Sequence, residues 1–314
     1  MLYSYSVYGV RIDSETPLPE FACAPAKNWA RGRRVSLRTR YFSFPPSKRK
    51  RVRSNGFHYW LTPNRRFAFV RSSLAGVFRV DLQKKITDWR PLPKESLSPG
   101  VAILNGRVLE ILLTYLQPSF LLHACVPVVE GEAIGLLGSR GAGKSTLGAA
   151  FLNQGLPLLT DDIAVVENRS DQFVIQPGPP EIRLWPKSIH WLNDPKIKGE
   201  PIYPTIRKER FLLNKEGGWR FLNRPVPLQA LYILSRKKKG EIQIEDLTGQ
   251  KAMMALFQNV YNLFVENPAL RRKQFKIASQ LVQKIPVKHL SYPSGLAHLP
   301  AVRRAILCDL KLKS

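Results

Sequence analysis

The chain has 314 residues, 44% of them hydrophobic, and its 49 Lys plus Arg against 23 Asp plus Glu leave a formal net charge of +26. That length accommodates one large or two medium domains, and the apolar share is ordinary for a globular core. Three cysteines, odd in number and far apart, exclude a disulfide framework and a structural zinc site, and they point to a reducing cytoplasm.

The opening MLYSYSVYGV lacks the basic start and apolar run of a signal peptide. The longest apolar region, 108–129, contains Glu110, Gln117, Pro118 and His123, so it reads as a helix followed by a strand and no membrane partner is expected. The positive charge is spread along the chain, with runs at 236–239 and 271–273 among others. It implies attraction to anions such as nucleotides or acidic peptides. No RNA- or DNA-binding motif accompanies it, and stacking aromatics are not interleaved with the basic runs, so nucleic acid is not the expected partner.

Residues 1–95 have a β-rich texture. Tyr3–Tyr8, Val10–Ile12, Val35–Tyr41 and Phe78–Leu82 alternate apolar and polar side chains, and Phe44–Lys50 reads as a Pro- and Lys-rich turn. With no paired carboxylates and a single histidine, His58, this reads as an accessory domain. The segment 98–117 follows as a helix. Val101, Leu104, Val108, Leu109, Leu112, Leu113 and Leu116 recur at helical spacing, Ser96 or Ser98 serves as cap, and Pro118 as stop. Leu121–Val129 is a strand, and Glu130-Gly131 turns it into a second, Ala133–Leu137.

Gly138-Ser-Arg-Gly-Ala-Gly-Lys-Ser145 then meets the phosphate-loop pattern G-x-x-x-x-G-K-[ST] at every fixed position, and Thr146 extends it. Glycines let the backbone curl so that successive N–H groups converge on an anion, and the helix that follows adds its N-terminal dipole. Gly138, Ser139, Arg140, Gly141, Ala142, Gly143, Lys144, Ser145 and Thr146 are therefore the candidate ATP-binding residues. Lys144 reaches the β- and γ-phosphates and Ser145 ligates Mg²⁺. The strand before and the helix 145–154 after, with Gly155 as its stop, supply the context the pattern needs.

One helix later, the apolar Leu156–Thr160 delivers Asp161 and Asp162, where a carboxylate can hold Mg²⁺ or take a proton from an attacking hydroxyl. Glu181 and Arg183 alternate onto one face of a further strand and can both point at a phosphate–metal site. Residues 193–220 are basic and poorly periodic, and read as a loop over the site. Strands at 226–234, 242–244 and 287–290, a helical region from 249 to 284 and a short helix at 299–307 complete the chain.

From Leu121 to Trp185 this order of elements resembles the kinase domain of the HPr serine kinase/phosphorylase family, whose core is shared with phosphoenolpyruvate carboxykinase. The likeness implies a mixed-sheet α/β fold, with a phosphate-loop kinase core at 96–314 and the β-rich accessory domain at 1–95. It implies Asp162 as the base toward a serine hydroxyl, His123 beside the transferred phosphate, Asp161 supporting metal or base, and Glu181 as a second metal ligand. Arg224, before Pro225, is the approximate match to the family's basic phosphate-contacting residue. Where the family continues Glu-Ile-Arg into Gly-Leu-Gly, this chain has Leu184-Trp185-Pro186. Tyr5-x-x-Tyr8-Gly-Val-x-Ile12, Pro225-Val-Pro-Leu228 and Ile285-Pro-Val-x-x-Leu290 resemble HPr-kinase-related proteins along nearly the whole chain. Some of those phosphorylate a serine of a ribosomally made peptide precursor, as lasso-peptide kinases do. The expectation is a cytoplasmic, ATP- and Mg²⁺-dependent kinase acting on a peptide or protein serine, with the homo-oligomeric assembly of related kinases. The competing reading is a basic phosphate-loop ATPase acting with nucleic acid.

Overall fold

The computed structural model describes residues 2–18, 21, 34–40, 42, 52–54, 57–92, 100, 103–116, 120–192, 199–203, 206–213, 218–261 and 267–311. Ser96, Ser98, Val101, Pro118, Cys23 and the turn at 44–50 lie outside them. The fold is mixed α/β.

Eight strands form the first sheet: β1 (Tyr3–Val7), β2 (Val10–Ser14), β3 (Arg34–Thr39), β4 (Val52–Ser54), β5 (Phe57–Leu61), β6 (Phe67–Ser72), β7 (Gly76–Asp81) and β8 (Ile86–Arg90), in the order β1-β2-β3-β8-β7-β6-β5-β4. β4, β5, β6 and β8 escape a strict search for alternation; Phe57-His-Tyr-Trp-Leu61, for one, is a nearly unbroken aromatic run. The buried face of this sheet is not a closed core. Ile12, Leu37, Val70, Phe78 and Trp89 share one cluster with Leu104, Val108 and Leu112 of the following helix, and with Leu121, Ile163 and Val165 beyond it. That helix opens with a π-turn, Leu104–Val108, and continues as α1 (Leu109–Leu116).

The second sheet contains β9 (Phe120–Val129), β10 (Glu132–Leu137), β12 (Ile163–Arg169), β13 (Gln172–Gln176), β17 (Val226–Lys237), β18 (Gln243–Leu247) and β19 (Val287–Pro293), with β11 (Leu158–Thr160) on the flank of β9. β9 is long enough to serve two neighbours: residues 120–123 pair with β12 and residues 124–129 with β10. β17 runs parallel to β10 and β19 and meets β13 at its start. α2 (Lys144–Leu152) packs so tightly on β9 that a Cβ at Gly148 would stand 2.2 Å from the Cys125 sulfur. Further α-helices among the described residues are α3 (Pro186–Leu192), α4 (Gly249–Phe257), α5 (Pro268–Lys284) and α6 (Leu299–Lys311). No helix among the described residues is long and apolar enough to cross a membrane.

One expectation fails. Within 193–220 the chain forms β15 (Glu200–Tyr203) and β16 (Ile206–Leu212), which join β14 (Glu181–Leu184) in a three-stranded antiparallel sheet. The apolar alternation is missing because β16 reads IRKERFL and buries Arg210, whose Nη2 pairs with Glu200 across the ladder. A paired charge fills a position that periodicity reserves for an apolar side chain.

Candidate active site

β10 leads the chain into a loop in which Gly138, Gly141 and Gly143 adopt φ of 142°, 85° and 97°. At Gly143 a side chain is excluded twice over, by the left-handed φ and by a Cβ position 2.8 Å from the Tyr292 hydroxyl. That hydroxyl donates to the Ala142 carbonyl at 2.7 Å, and burial pushes its pKa up to about 12, so it remains a neutral donor. The Gly138 N–H donates to Asn259 Oδ1 at 2.8 Å. Ser139, Arg140 and Gly141 are exposed at the tip, and α2 begins at Lys144 with its N-terminal N–H groups at the loop. Lys144 is buried, with Nζ donating to the Gly138 carbonyl at 2.7 Å and the Ser139 carbonyl at 3.3 Å. Burial lowers its pKa, opposed by the charges of Asp161 and Asp162. Thr146 shares a 3.0 Å hydrogen bond with Ser188 of α3.

β11 lies on β9 and so brings Asp161 to the start of α2. The Ser145 hydroxyl donates to Asp161 Oδ1 at 2.9 Å, and the Arg183 N–H donates to Oδ2 at 3.2 Å. Cys125 is buried beside this carboxylate; burial first, then the Asp161 charge, raise its thiol pKa. Glu181 is buried on β14. Its Oε1 accepts from Asn105 Nδ2 at 3.0 Å and from Arg183 Nε at 2.8 Å, while Oε2, also buried, has no hydrogen-bond partner among the described residues. Among the described residues no three His, Cys, Asp or Glu side chains converge into a metal-holding group. A hydroxyl, a carboxylate and an unsatisfied carboxylate oxygen are nonetheless hard donors of the kind Mg²⁺ takes, with water and phosphate oxygens filling its shell.

Asp162 has φ of 82°, a left-handed conformation that Asp tolerates better than most residues. This reversal sends two adjacent carboxylates to different partners. His123 Nδ1 lies 3.0 Å from Asp162 Oδ1 and 2.6 Å from the Tyr261 oxygen, and the Tyr261 hydroxyl donates to the same Oδ1 at 2.8 Å. Burial works against the charge on Asp162. The hydrogen bond and charge of His123, the Arg183 charge and the Tyr261 hydrogen bond outweigh it, holding the carboxyl well below the usual range. The Asp162 side chain remains 38% exposed, so an incoming group can reach it.

Tyr261 and Asn259 carry no sequence signal, because they follow α4 where its periodicity ends. Backbone pairing places them: His123 N–H donates to the Asn259 carbonyl at 2.7 Å, and Tyr261 N–H to the Leu121 carbonyl at 3.0 Å. One short segment laid along β9 thus puts Asn259 on the Gly138–Ser145 loop and Tyr261 on Asp162. The first sheet contributes Tyr8. It sits in the β1–β2 turn with φ of 55°, donates its N–H to the Pro177 carbonyl at 2.7 Å and is 1% exposed. Burial, then the Asp162 charge, raise its phenol pKa.

Arg224 is not brought to the loop. In the parallel register of β17 on β10, Ala133 pairs with Leu228 and Leu137 with Ile233. Arg224 precedes β17 on the side of the sheet where β10 begins, whereas the loop follows the other end of β10. From β17 the basic residue shown to reach the loop is Arg236, near the strand's far end, whose Nη2 donates to the Gly141 carbonyl.

No family model matches the chain, and no curated protein matches it. Among solved structures it is similar to one described as the Hpr(Ser) kinase/phosphatase from Coxiella burnetii, at 14% identity and a TM-score of 0.36. That match covers 62% of this chain and 91% of the other.

Proposed function

We propose that the chain is an ATP-dependent kinase of the HPr-kinase-related, carboxykinase-like kind, working in the cytoplasm and transferring the γ-phosphate to a serine hydroxyl of a peptide or protein. A ribosomally made precursor is one such acceptor. The observation that carries the reading is the divergence of Asp161 and Asp162 beside one phosphate loop: Asp161 is bonded to the Ser145 hydroxyl, and Asp162 to His123 and Tyr261.

The division of labour follows from those partners. Loop N–H groups and the Lys144 ammonium hold the nucleotide phosphates, and Arg236 braces the loop from β17. Ser145, Asp161 and Glu181 are the residues that would hold Mg²⁺, which when bound neutralises charge on the β- and γ-phosphates. Asp162 orients the acceptor hydroxyl and takes its proton as the new oxygen–phosphorus bond forms and the bond from the γ-phosphorus to the bridging oxygen breaks, releasing ADP. Its lowered pKa suits a loose transition state, in which alignment contributes more than proton abstraction. Both contacts fall on Oδ1, which leaves Oδ2 for the acceptor. His123 and Tyr261 fix the carboxylate and keep it ionised.

Incubation with γ-labelled ATP and serine-bearing peptides tests the reading. Label should appear on serine, be absent from peptides with alanine in its place, and be lost with Lys144→Ala. Release of phosphate to water alone, or ATP hydrolysis stimulated by RNA or DNA without a phosphopeptide, would overturn it.

A further inference from the structure

Helices α4 and α5 leave an apolar groove on the surface. It has a volume of about 600 Å³ and is lined by Gln250, Met253, Met254, Phe257, Gln258 and Phe275. Met254 is 56% exposed and Phe275 59%, and these are two of the few large apolar side chains the described residues leave open. Phe257 and Phe275 stack with centroids 6.3 Å apart at an interplanar angle of 17°, so one wall of the groove is a preformed aromatic surface.

The charge these two helices carry has one sign. α4 contributes Lys251, and α5 contributes Arg271, Arg272, Lys273 and Lys276 near Phe275, while neither helix contains an Asp or Glu. Arg271 and Arg272 lie four and three residues before Phe275, one turn along the same side of α5. Continuity with the site is direct. Gln258 lines the groove, the next residue holds the Gly138 N–H, and Tyr261 holds Asp162. At most about 11 Å of chain separates Gln258 from Tyr261.

From this juxtaposition we propose that the α4–α5 groove docks the acceptor polypeptide, an acidic segment with an apolar anchor side chain, and leads its hydroxyl toward Asp162. The proposal rests on the kinase reading above and names the chemistry of its substrate. Met and Phe surfaces adapt to varied aliphatic and aromatic anchors. The surrounding cations attract acidic neighbours and speed encounter in a salt-dependent way. The anchor occupies the groove while the acceptor lies a few residues along the same chain.

Fluorescence anisotropy with a short labelled peptide of Asp, Glu and Gly, one Ser and a central Leu-Phe pair tests this. Wild-type protein should bind it saturably. Phe275→Ser and Met254→Ser should each weaken binding about tenfold, the value of burying one large apolar side chain. Arg272→Ala with Lys276→Ala should weaken it and flatten its salt dependence, and replacing Leu-Phe by Ser-Ser in the peptide should reproduce the Phe275→Ser loss. A fluorescent ATP analogue should bind all these variants as it binds wild type. Lys144→Ala should lose the nucleotide and keep the peptide, so failure of the nucleotide reading and failure of the groove are distinguishable. Absence of saturable peptide binding, or equal affinity in Phe275→Ser and Met254→Ser, overturns the proposal. So does competition by short polyuridylate lost in the same variants, which makes the groove a nucleic-acid site, or a dimer dissociated by them, which makes the occupant a second copy of the chain.

Discussion

Asp13 in the first sheet and Asp162 beside the Gly138–Ser145 loop are both carboxylates held below their usual pKa, against the cost of burial, by surrounding donors. Around Asp13 those donors are the Ser4 hydroxyl and the Arg11 and Arg34 guanidinium groups, and the carboxylate is 1% exposed. Around Asp162 they are an imidazole and a phenol crowded onto one oxygen, with 38% of the side chain still open. A depressed pKa therefore does not mark a site by itself. What separates the two is access, together with the neighbouring Lys144, Ser145 and loop N–H groups. The sheet carboxylate is saturated and braces strands; the core carboxylate is held and left reachable.

That contrast breaks most sharply at Asp162. Asp162→Asn should lower phosphate transfer by about 10²–10⁴-fold, the usual worth of a positioned base, while nucleotide affinity changes by less than about threefold. Single-turnover transfer and titration with a fluorescent nucleotide separate these, and an equal loss in both would place Asp162 in the phosphate shell instead. Asp13→Ala is the counterpart: transfer should be unchanged while stability falls by about 2 kcal/mol, since two guanidinium groups lose their acceptor. Urea unfolding reads the loss, and reduced transfer at intact stability would make the sheet part of the chemistry. A smaller effect belongs to Tyr261→Phe, which removes one hydrogen bond from Asp162. Transfer should drop about three- to tenfold, as one bond of about 1 kcal/mol implies, with Lys144 and the nucleotide unaffected.

The least of the effects is acid sensitivity. The folded carboxyl of Asp162 titrates below its unfolded value of about 3.9. Its stabilising contribution is thus complete above that value and is lost as pH falls through the lower folded pKa. Melting curves of wild type and Asp162→Asn should differ at neutral pH and converge in strong acid. Asp162→Asn curves parallel to wild type at every pH would mean that the His123–Tyr261 cradle does not hold the charge.

Much of the candidate site was legible in the chain because its chemistry is local. The spacing of Gly138, Gly143, Lys144 and Ser145 follows from how a backbone wraps an anion and starts a helix, and Asp161-Asp162 stands one helix later on an apolar strand. Arg224 is a different case, taken from the family resemblance as the basic residue before Pro225. The parallel register of β17 carries Arg236 to the loop, and Arg224 precedes the strand's opposite end. Tyr261 lies 138 residues from His123, and only its backbone pairing with β9 closes that interval. Tyr8 reaches the site because its face of the first sheet buries its apolar side chains in one cluster with α1 and the second sheet. The sequence by itself determined which residues can wrap a phosphate, since short-range backbone geometry sets that. Which residues surround the phosphate loop was decided by the tertiary structure, because strand register and shared burial set long-range neighbours and leave no local period to read.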